Sequence, residues 1–206
     1  ITRYYRRSTD EFDILPADAE TAWFVATNTS TWEVWFATFT KWVSGRWYDV
    51  NSRVKDMAGL WGLHYSTRTF LYDTAPPDIT VTKPLSGTYW RTLGTISGTA
   101  QDMPSPGNNS GTTIRNIGIR MNSSMRWFDG SDFVVGIPFG FGIGSGDGTW
   151  TYFNTTLQGI LISGVSYYIT NQAYDNAGNV TDWYIYGSTF VFDNTLPDSR
   201  ITLPQP

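Results

Sequence analysis

The chain has 206 residues, of which 40% are hydrophobic and 16% charged, so it can bury a core and lacks the composition of a disordered segment. Its net charge of −4 argues against nucleic acid as a partner, and its lack of cysteine excludes disulfides and thiolate metal sites. No apolar run approaches the ~20 residues that a membrane-spanning helix requires. We therefore expect neither membrane insertion nor nucleic-acid binding.

Apolar residues alternate with polar ones along almost the whole chain, and most of them are β-branched or aromatic. The alternation is seen at residues 32–36, 48–52, 79–82, 117–121 and 150–152. Clusters of Gly, Asp, Asn or Pro separate these runs at intervals of roughly ten residues. The pattern predicts an all-β protein in which antiparallel strands form immunoglobulin-like β-sandwiches in tandem.

Two segments of the chain, residues 45–59 and 164–178, have matching sequences. Both begin and end in glycine and carry a tyrosine, an aliphatic residue, an aspartate and an alanine in the same order. The matched pairs are Gly45 and Gly164, Tyr48 and Tyr167, Val50 and Ile169, Asp56 and Asp175, Ala58 and Ala177, and Gly59 and Gly178. Repetition over this distance indicates a modular array, and such arrays serve reach, spacing or adhesion more often than catalysis.

The second half of the chain contains enough strands for one complete sandwich. An immunoglobulin-like sandwich needs seven. We predict strands at residues 78–83, 91–99, 114–128, 132–143, 150–157, 165–175 and 180–192. Asp129-Gly130 predicts a hairpin between the third and fourth strands, and residues 176–179 predict a turn between the sixth and seventh.

The segments that follow the repeats also match. Residues 70–78 are echoed by residues 190–198, and both contain an aromatic residue, an aspartate and a proline, as in a hinge between modules. We therefore predict a partial module at residues 1–75 and a complete module at 76–194. Residues 195–206 are predicted to be a hinge and either the first strand of a following module or a donated tail.

These motifs resemble the tandem bacterial immunoglobulin-like (Big-type) repeats of large extracellular surface proteins and adhesins. The pattern is carried by Gly164, Tyr167, Ile169, Ala173, Asp175, Ala177, Gly178, Asn179, Phe192, Asp193 and Pro197. The first copy is looser, with Val54 in place of the alanine and Leu60 in place of the asparagine. The resemblance implies the sandwich fold and an extracellular, cell-surface setting, and it implies no activity.

The repeated residues also have structural explanations. Tyr48 and Tyr167 occupy the position of a tyrosine corner, whose hydroxyl bonds to nearby backbone. Asp56 and Asp175 can accept amide hydrogens in the tight turns that follow, and Gly59 and Gly178 can supply positive φ angles there. These matched residues are shared structural motifs.

The first module is out of phase with the second, because nothing in it corresponds to residues 78–120. The chain begins at Ile1 without an initiator methionine, so we expect either a processed product or a piece of a longer protein. Residues 198–204 have the pattern of an opening strand. Either the chain is a fragment of a longer array, or Ile201 and Leu203 donate a strand to the open edge of a like subunit.

Catalytic chemistry finds little support in the sequence. His64 is the only histidine, no Gly-x-Ser-x-Gly motif is present, and the three glutamates (Glu11, Glu20 and Glu33) all lie in the incomplete module. We expect no enzyme and no cofactor. Asp129, Asp132 and Asp147 flank loops where calcium could bind, but aspartate is also preferred in ordinary turns. Asp73, Asp78, Asp193 and Asp198 flank the hinges and leave the same two alternatives open.

Three further features of the sequence bear on partners and modification. The ten tryptophans and twelve tyrosines exceed what two small cores require, so outward rings could bury a contact between like subunits or neighbouring repeats, or stack on surface glycans. The glycine-rich residues 140–148 fit no phosphate-binding motif and predict a flexible strand-to-loop segment. Sequons for N-glycosylation occur at Asn28, Asn108, Asn122, Asn154 and Asn179.

The sequence therefore predicts a structural or adhesive segment of an extracellular bacterial surface protein, and a self-assembling fibre or filament subunit is one form it could take. The alternative is a carbohydrate-binding accessory module of a secreted hydrolase. Oligomerisation and binding to polysaccharide distinguish these two functions.

Overall fold

A computed structural model of the protein describes residues 4–6, 11–23, 41–64, 66–201 and 203. The chain divides into two compact units, Ile1–Val43 and Ser44–Pro206. The predicted module boundary after residue 75 lies inside the second unit, and it stays a prediction. In the part of the chain that is described, no helix is long and apolar enough to cross a membrane.

The first unit contains a small hairpin and a short 3₁₀ helix of about two turns. Strand β1 (Tyr4–Arg6) pairs antiparallel with β2 (Glu11–Ile14). A 3₁₀ helix follows at Pro16–Ala22 and begins with proline, whose fixed φ suits a first helical turn. Ile14 is buried. The predicted strand at residues 32–36 lies outside the described residues.

The second unit opens with a hairpin formed by β3 (Arg46–Ser52) and β4 (Ser66–Tyr72). Successive side chains of a strand point to opposite faces, so the hairpin has two kinds of face. On one face the rings of Tyr48 and Phe70 stack with their centroids 5.8 Å apart. On the other face, polar side chains bond across the strands, as between Thr67 Oγ1 and Asn51 Oδ1 at 2.6 Å.

The rest of the second unit is a β-sandwich with one short helix. Its elements are β5 (Asp78–Lys83), β6 (Thr88–Trp90), β7 (Ile96–Gln101), β8 (Thr112–Met121), β9 (Arg126–Phe128), β10 (Phe133–Val134), β11 (Phe141–Gly142), β12 (Gly148–Tyr152), α1 (Thr155–Ile160), β13 (Val165–Asp175), β14 (Val180–Thr181) and β15 (Gly187–Phe192).

Two sheets make up this sandwich. The smaller sheet has the strand order β12-β7-β5, and the larger has the order β10-β9-β8-β13-β15-β6, with β11 beside β8 and β14 beside β13. All pairs are antiparallel except β15 with β6. A three-stranded sheet facing a sheet centred on two long paired strands is the immunoglobulin-like arrangement. The prediction of an all-β, antiparallel, immunoglobulin-like fold is confirmed.

The core lies between the two sheets and is rich in aromatic rings. Tyr167 stacks on Phe190 at 5.7 Å, and Phe133 packs against Tyr167 at 5.4 Å. The fully buried core residues include Ile79, Leu93, Ile96, Ile117, Ile119, Phe128, Leu157, Tyr167, Ile169 and Phe190. Because the inward positions of strands alternate, the period-two pattern of the sequence supplies this core directly.

Five of the seven predicted strands differ from the observed elements. The predicted strand 91–99 begins only at Ile96, as β7, and the predicted strand 180–192 is divided into β14 and β15. The predicted strand 114–128 is divided into β8 and β9 by a turn in which Met125 has a φ of 56°. The predicted strand 132–143 becomes the two short strands β10 and β11. The predicted strand 150–157 ends at Tyr152, because Asn154 accepts a hydrogen bond from Leu157 N at 2.9 Å and caps helix α1.

Candidate functional site

The turns that end the two matched segments have the same hydrogen bonds. After β3, Leu60 N donates to Asp56 Oδ1 at 2.8 Å, and Asp56 N donates to Leu60 O at 2.9 Å. After β13, Asn179 N donates to Asp175 Oδ1 at 2.8 Å, and Asp175 N donates to Asn179 O at 3.1 Å. Both turns also hold a glycine of positive φ: Gly59 at 86° and Gly178 at 92°. The two aspartates therefore have the same local role.

The tyrosines of the matched segments also have matching partners. Tyr48 stacks on Phe70 at an interplanar angle of 29°, and Tyr167 stacks on Phe190 at 27°. The Tyr167 hydroxyl accepts a hydrogen bond from Ile162 N at 2.9 Å, which is the contact of a tyrosine corner. A phenol hydroxyl is protonated at neutral pH, and burial raises the pKa of Tyr167 further.

Another repeated feature lies where each matched segment begins and the strand paired with it ends. Its first occurrence, which we call the first hinge, consists of Ser44, Gly45 and residues 72–75. Ser44 Oγ donates to Asp73 Oδ1 at 3.2 Å and accepts from Thr74 N at 3.0 Å. Ala75 N donates to the same Asp73 oxygen at 3.1 Å, and Gly45 N donates to Tyr72 O at 2.9 Å.

The second hinge (Ser163, Gly164 and residues 192–195) repeats these bonds one by one. Ser163 Oγ donates to Asp193 Oδ1 at 3.0 Å and accepts from Asn194 N at 3.1 Å. Thr195 N donates to the same Asp193 oxygen at 3.0 Å, and Gly164 N donates to Phe192 O at 2.8 Å. The two hinges are one structural device, present twice in the chain.

The first hinge is covered by two loops at one end of the sandwich, residues 102–111 and 176–179, which we call the loop end. Ser110 N donates to Asp73 Oδ2 at 2.8 Å, and Asn179 Nδ2 donates to Asp73 O at 3.2 Å. Asn108 Nδ2 donates to Gly45 O at 3.2 Å. These bonds leave Asp73 only 8% exposed and hold the β3–β4 hairpin against the sandwich.

Three buried carboxylates come together at this joint. Asp73, Asp102 and Asp175 place carboxylate oxygens within 4.8 Å of one another. Each of the six oxygens accepts a hydrogen bond: Asp73 from Ser44, Ala75 and Ser110; Asp102 from Met103, Ser110 and Gly111; and Asp175 from Asn179 N and Nδ2. The hydrogen bonds of turns and loops alone account for this cluster.

The protonation of the cluster follows from its surroundings. Burial works to raise the pKa of Asp73, but hydrogen bonds from Ala75 and Ser110 outweigh it and leave that pKa below its usual value. Burial raises the pKa of Asp102, and the negative charge of Asp175 adds to the rise. Ionised Asp73 therefore stabilises the joint, whereas ionised Asp102 opposes folding.

The aspartates predicted as calcium ligands lie in separate places. Asp129 Oδ1 accepts from Ser131 N and Asp132 N, at 2.8 and 2.9 Å, so these two aspartates share one turn between β9 and β10. Asp147 accepts instead from Thr112 Oγ1 at 2.6 Å and from Asp102 N at 3.0 Å. The structure does not bring the three together, and calcium binding at Asp129, Asp132 and Asp147 stays a prediction.

The glycine-rich loop is fastened by a residue that the sequence patterns did not single out. Arg115 is 6% exposed and donates from its guanidinium to the carbonyls of Ser145, Gly148 and Thr149. Asp147 of the same loop accepts a hydrogen bond from Thr112 Oγ1 and so ties this segment to β8. The sequence did contain a signal for this role, because Arg115 occupies a position of β8 where the alternation of apolar residues points into the core.

The predicted glycosylation sites differ in how their amides are used. Asn108 is exposed but its Nδ2 donates to Gly45 O at 3.2 Å, Asn122 Nδ2 donates to Ser166 Oγ at 2.8 Å, and Asn154 caps α1. Asn179 Nδ2 donates both to Asp73 O and to Asp175 Oδ2, so a glycan on that nitrogen would remove one of these bonds. Asn28 lies outside the described residues. Glycosylation stays a prediction.

Aromatic side chains form a patch on the larger sheet, which we call the tyrosine patch (Trp127, Tyr168, Tyr184 and Tyr186). Tyr168 and Tyr184 stack almost parallel, with centroids 6.4 Å apart, and Trp127 meets Tyr184 edge-on at 5.8 Å. Arg120 lies over Trp127 and Tyr168. Tyr184 is 52% and Tyr186 43% exposed. Three rings of the patch, those of Trp127, Tyr168 and Tyr184, are therefore packed against one another.

The remaining predicted residues lie at the surface. Ile201 is 93% and Leu203 82% exposed, and neither belongs to a strand. His64 is exposed in the loop between β3 and β4. Trp47 and Trp61 are also exposed, whereas the tryptophans of residues 32–36 lie outside the described residues.

The chain resembles known proteins only distantly, and only in structure. The sequence matches no model of a protein family and none of the curated proteins. Among solved structures, fibronectin(III)-like modules of Clostridium thermocellum CbhA are 14% identical, with a TM-score of 0.30, over 78% of this chain and 70% of that chain. The fold assignment therefore rests on the strand topology described above.

Proposed function

We propose that the chain is a structural or adhesive segment of an extracellular protein at a bacterial cell surface, built of immunoglobulin-like modules in series and without a catalytic role. The observation that carries this proposal is the second hinge, which repeats the hydrogen bonds of the first. A device that joins a hairpin to a sandwich in one place and recurs at the other end of that sandwich suits a spacer assembled from units.

The covered first hinge supports a mechanical role. Asp73 receives hydrogen bonds from its own turn and from Ser110 of the loop end, so the hairpin and the sandwich share a buried carboxylate. Hydrogen bonds to a charged, buried group are stronger than those between neutral groups. A joint fixed in this way transmits orientation from one module to the next, as an array built for reach requires.

The cellular location is tested by labelling. Antibodies raised against the purified chain should stain intact cells that produce the protein, and treating those cells with protease should remove the stain. A cytosolic enzyme of the same cells serves as the control for intactness. Staining that appears only after permeabilisation would contradict the extracellular placement.

Assembly into fibres is tested by size. The exposed Ile201 and Leu203 suit the addition of a strand to a like subunit, because unpaired edges are templates for association. A ladder of oligomers that grows with protein concentration in analytical ultracentrifugation supports a filament subunit. If instead the protein stays a monomer over an approximately thousandfold range of concentration, it is a spacer alone. A contact with a micromolar or lower dissociation constant would produce oligomers within that range.

A carbohydrate-binding accessory role is the second candidate, and the tyrosine patch favours it. Exposed rings such as Tyr184 and Tyr186 can stack on sugar faces. Affinity gel electrophoresis with soluble polysaccharides should then slow the wild type but not Tyr184→Ala. Tyr89→Ala, on an exposed ring of β6, is the matched control. Equal mobility with and without polysaccharide would exclude this function for the glycans tested.

A further inference from the structure

The two hinges have the same internal bonds but opposite surroundings. Asp73 is buried under the loop end, whereas Asp193 is exposed. Pro77, which follows the first hinge, is buried and its carbonyl accepts a hydrogen bond from Thr181 Oγ1, whereas the matching Pro197 is exposed. The second hinge is thus the same device without its cover.

The space around the two hinge glycines shows the same contrast. Gly45 and Gly164 have nearly equal φ angles of 77° and 78°. A Cβ built on Gly45 would lie 2.7 Å from Pro104 Cγ and 3.0 Å from Asn108 O, both in the loop end. A Cβ built on Gly164 would meet no atom of the described residues within 4 Å. The volume that the loop end fills at the first hinge is open at the second.

Acceptors at the second hinge are also left over. At the first hinge, Oδ2 and the main-chain oxygen of Asp73 receive Ser110 N and Asn179 Nδ2. Within the part of the chain that the structure describes, no amide donates to the corresponding oxygens of Asp193, and its Oδ1 accepts from Ser163 Oγ and Thr195 N. Beside them, Ile162 and Leu196 are 54% and 77% exposed.

We propose that the second hinge is a docking site for the loop end of a further immunoglobulin-like module of the same build as residues 78–193. This module would follow Asp193 in series, so the inference rests on the proposed array. Its loop-end amide, at the position of Ser110, donates to Asp193 Oδ2. Its amide side chain, at the position of Asn179, donates to Asp193 O, and its proline, at the position of Pro104, covers Gly164.

A second copy of this chain does not supply such a loop end, because the loop end of each copy already covers its own first hinge. The incoming module must therefore bring free loops of this kind. The residues after the second hinge fit that geometry, since Asp198 follows Asp193 at the spacing with which Asp78, the first residue of β5, follows Asp73.

The test is an extended chain in which residues 1–195 are followed by a second copy of residues 76–206. The protein has no cysteine, so pairs of nitroxide labels can be attached at introduced cysteines. Thr149→Cys in each copy of the sandwich reports on the new joint. Arg68→Cys with Thr149→Cys in the original sandwich reports on the first joint, and both positions are exposed.

We expect distance distributions of similar, narrow width across both joints in pulsed electron paramagnetic resonance. Asp193→Ala should broaden the distribution across the new joint several-fold and leave the first joint unchanged. Asn194→Ala is the matched control, because Asn194 takes part in the hinge only through its main-chain nitrogen. Asn179→Ala in the added copy alone should also broaden the distribution across the new joint. This variant leaves the second hinge intact, so the broadening would be due to the lost donor of the incoming loop end.

A broad distribution across the new joint beside a narrow one across the first would overturn the docking proposal. The narrow first joint shows in the same molecule that the protein is folded. That result would leave the proposed function standing as a flexible array, whereas failure of the proposed function would appear in the surface-labelling experiment.

Discussion

At the scale of single residues, the buried tyrosine at the start of β13 does two things. Its ring packs in the core against Phe190, and its hydroxyl accepts from Ile162 N and so fixes the chain as it enters the strand. A side chain that joins a core to a loop in this way contributes to stability through both parts.

We expect Tyr167→Phe to keep the fold and to lower the free energy of unfolding by about 1 kcal/mol, the usual net contribution of one hydrogen bond. Urea unfolding followed by fluorescence measures the difference. Tyr89→Phe is the control, because Tyr89 is 75% exposed and its loss of a hydroxyl should change nothing. Equal stability of all three proteins would show that the hydrogen bond from Ile162 N to the Tyr167 hydroxyl contributes no net free energy to folding.

Asp73 makes the stability of the folded protein depend on pH. Hydrogen bonds hold its pKa in the folded protein below the usual value of about 3.9. Its ionised form therefore adds stability at pH values above about 4, and this contribution disappears as the pH falls through the lowered pKa. Asp102, whose pKa is raised, has the opposite sign and favours the folded state when protonated.

We expect Asp73→Ala to reduce the free energy of unfolding by about 2 kcal/mol at pH 7, as for loss of hydrogen bonds to a buried charge. The difference from the wild type should shrink steadily below pH 4 in urea titrations. Asp193→Ala removes the same internal hinge bonds without a covered contact, so its effect should be smaller. A constant difference at every pH would refute the assigned pKa direction.

At the scale of elements, the hinge shows why the same local sequence produces two environments. Both hinges turn through a glycine of positive φ and tie the last strand back to a serine. Local hydrogen bonds of this kind depend only on neighbouring strands, so they form wherever the motif occurs. Burial of the hinge requires a further element, and among the described residues only the first hinge has one.

We expect Gly45→Ala to destabilise the protein more than Gly164→Ala. Both changes cost about 1–2 kcal/mol for a side chain at positive φ. Only the first places a methyl group against Pro104 and Asn108 of the loop end, which adds an overpacking cost of about 1–3 kcal/mol. Thermal or urea unfolding measures both, and equal losses would show that the loop end yields without cost.

The loop end also shows the limits of prediction for elements. The turn at Asp175 was foreseen because its residues are contiguous and carry ordinary turn chemistry. Asp102 was not, because its contacts with Ser110 and Gly111 depend on how the loop between β7 and β8 folds back. Helix α1 was missed for a related reason: it is six residues long, too short for a periodic apolar stripe to appear.

At the scale of the whole molecule, the role of the C-terminal tail (residues 195–206) depends on whether like subunits assemble. Burying Ile201 and Leu203 on a neighbouring subunit would contribute roughly 3–6 kcal/mol, which corresponds to at least a hundredfold in association. These side chains are almost fully exposed in the single chain.

If the tail donates a strand, deleting residues 198–206 should abolish polymers in analytical ultracentrifugation and electron microscopy. The double variant Ile201→Ser with Leu203→Ser should weaken them to a similar degree, and Arg200→Ala, whose side chain makes only an exposed ion pair, should not. Fibres that persist after the deletion would rule out strand donation.

The sequence by itself determined the class of the fold, because alternation of apolar residues and the chemistry of turns are local properties that each strand carries with it. It also determined that two segments share one design, and in the structure Asp56 and Asp175 accept the same turn hydrogen bonds. Only the tertiary structure decided which hinge is covered. Burial of Asp73 and exposure of Asp193 depend on a loop end that lies far along the chain, and no local pattern encodes that contact.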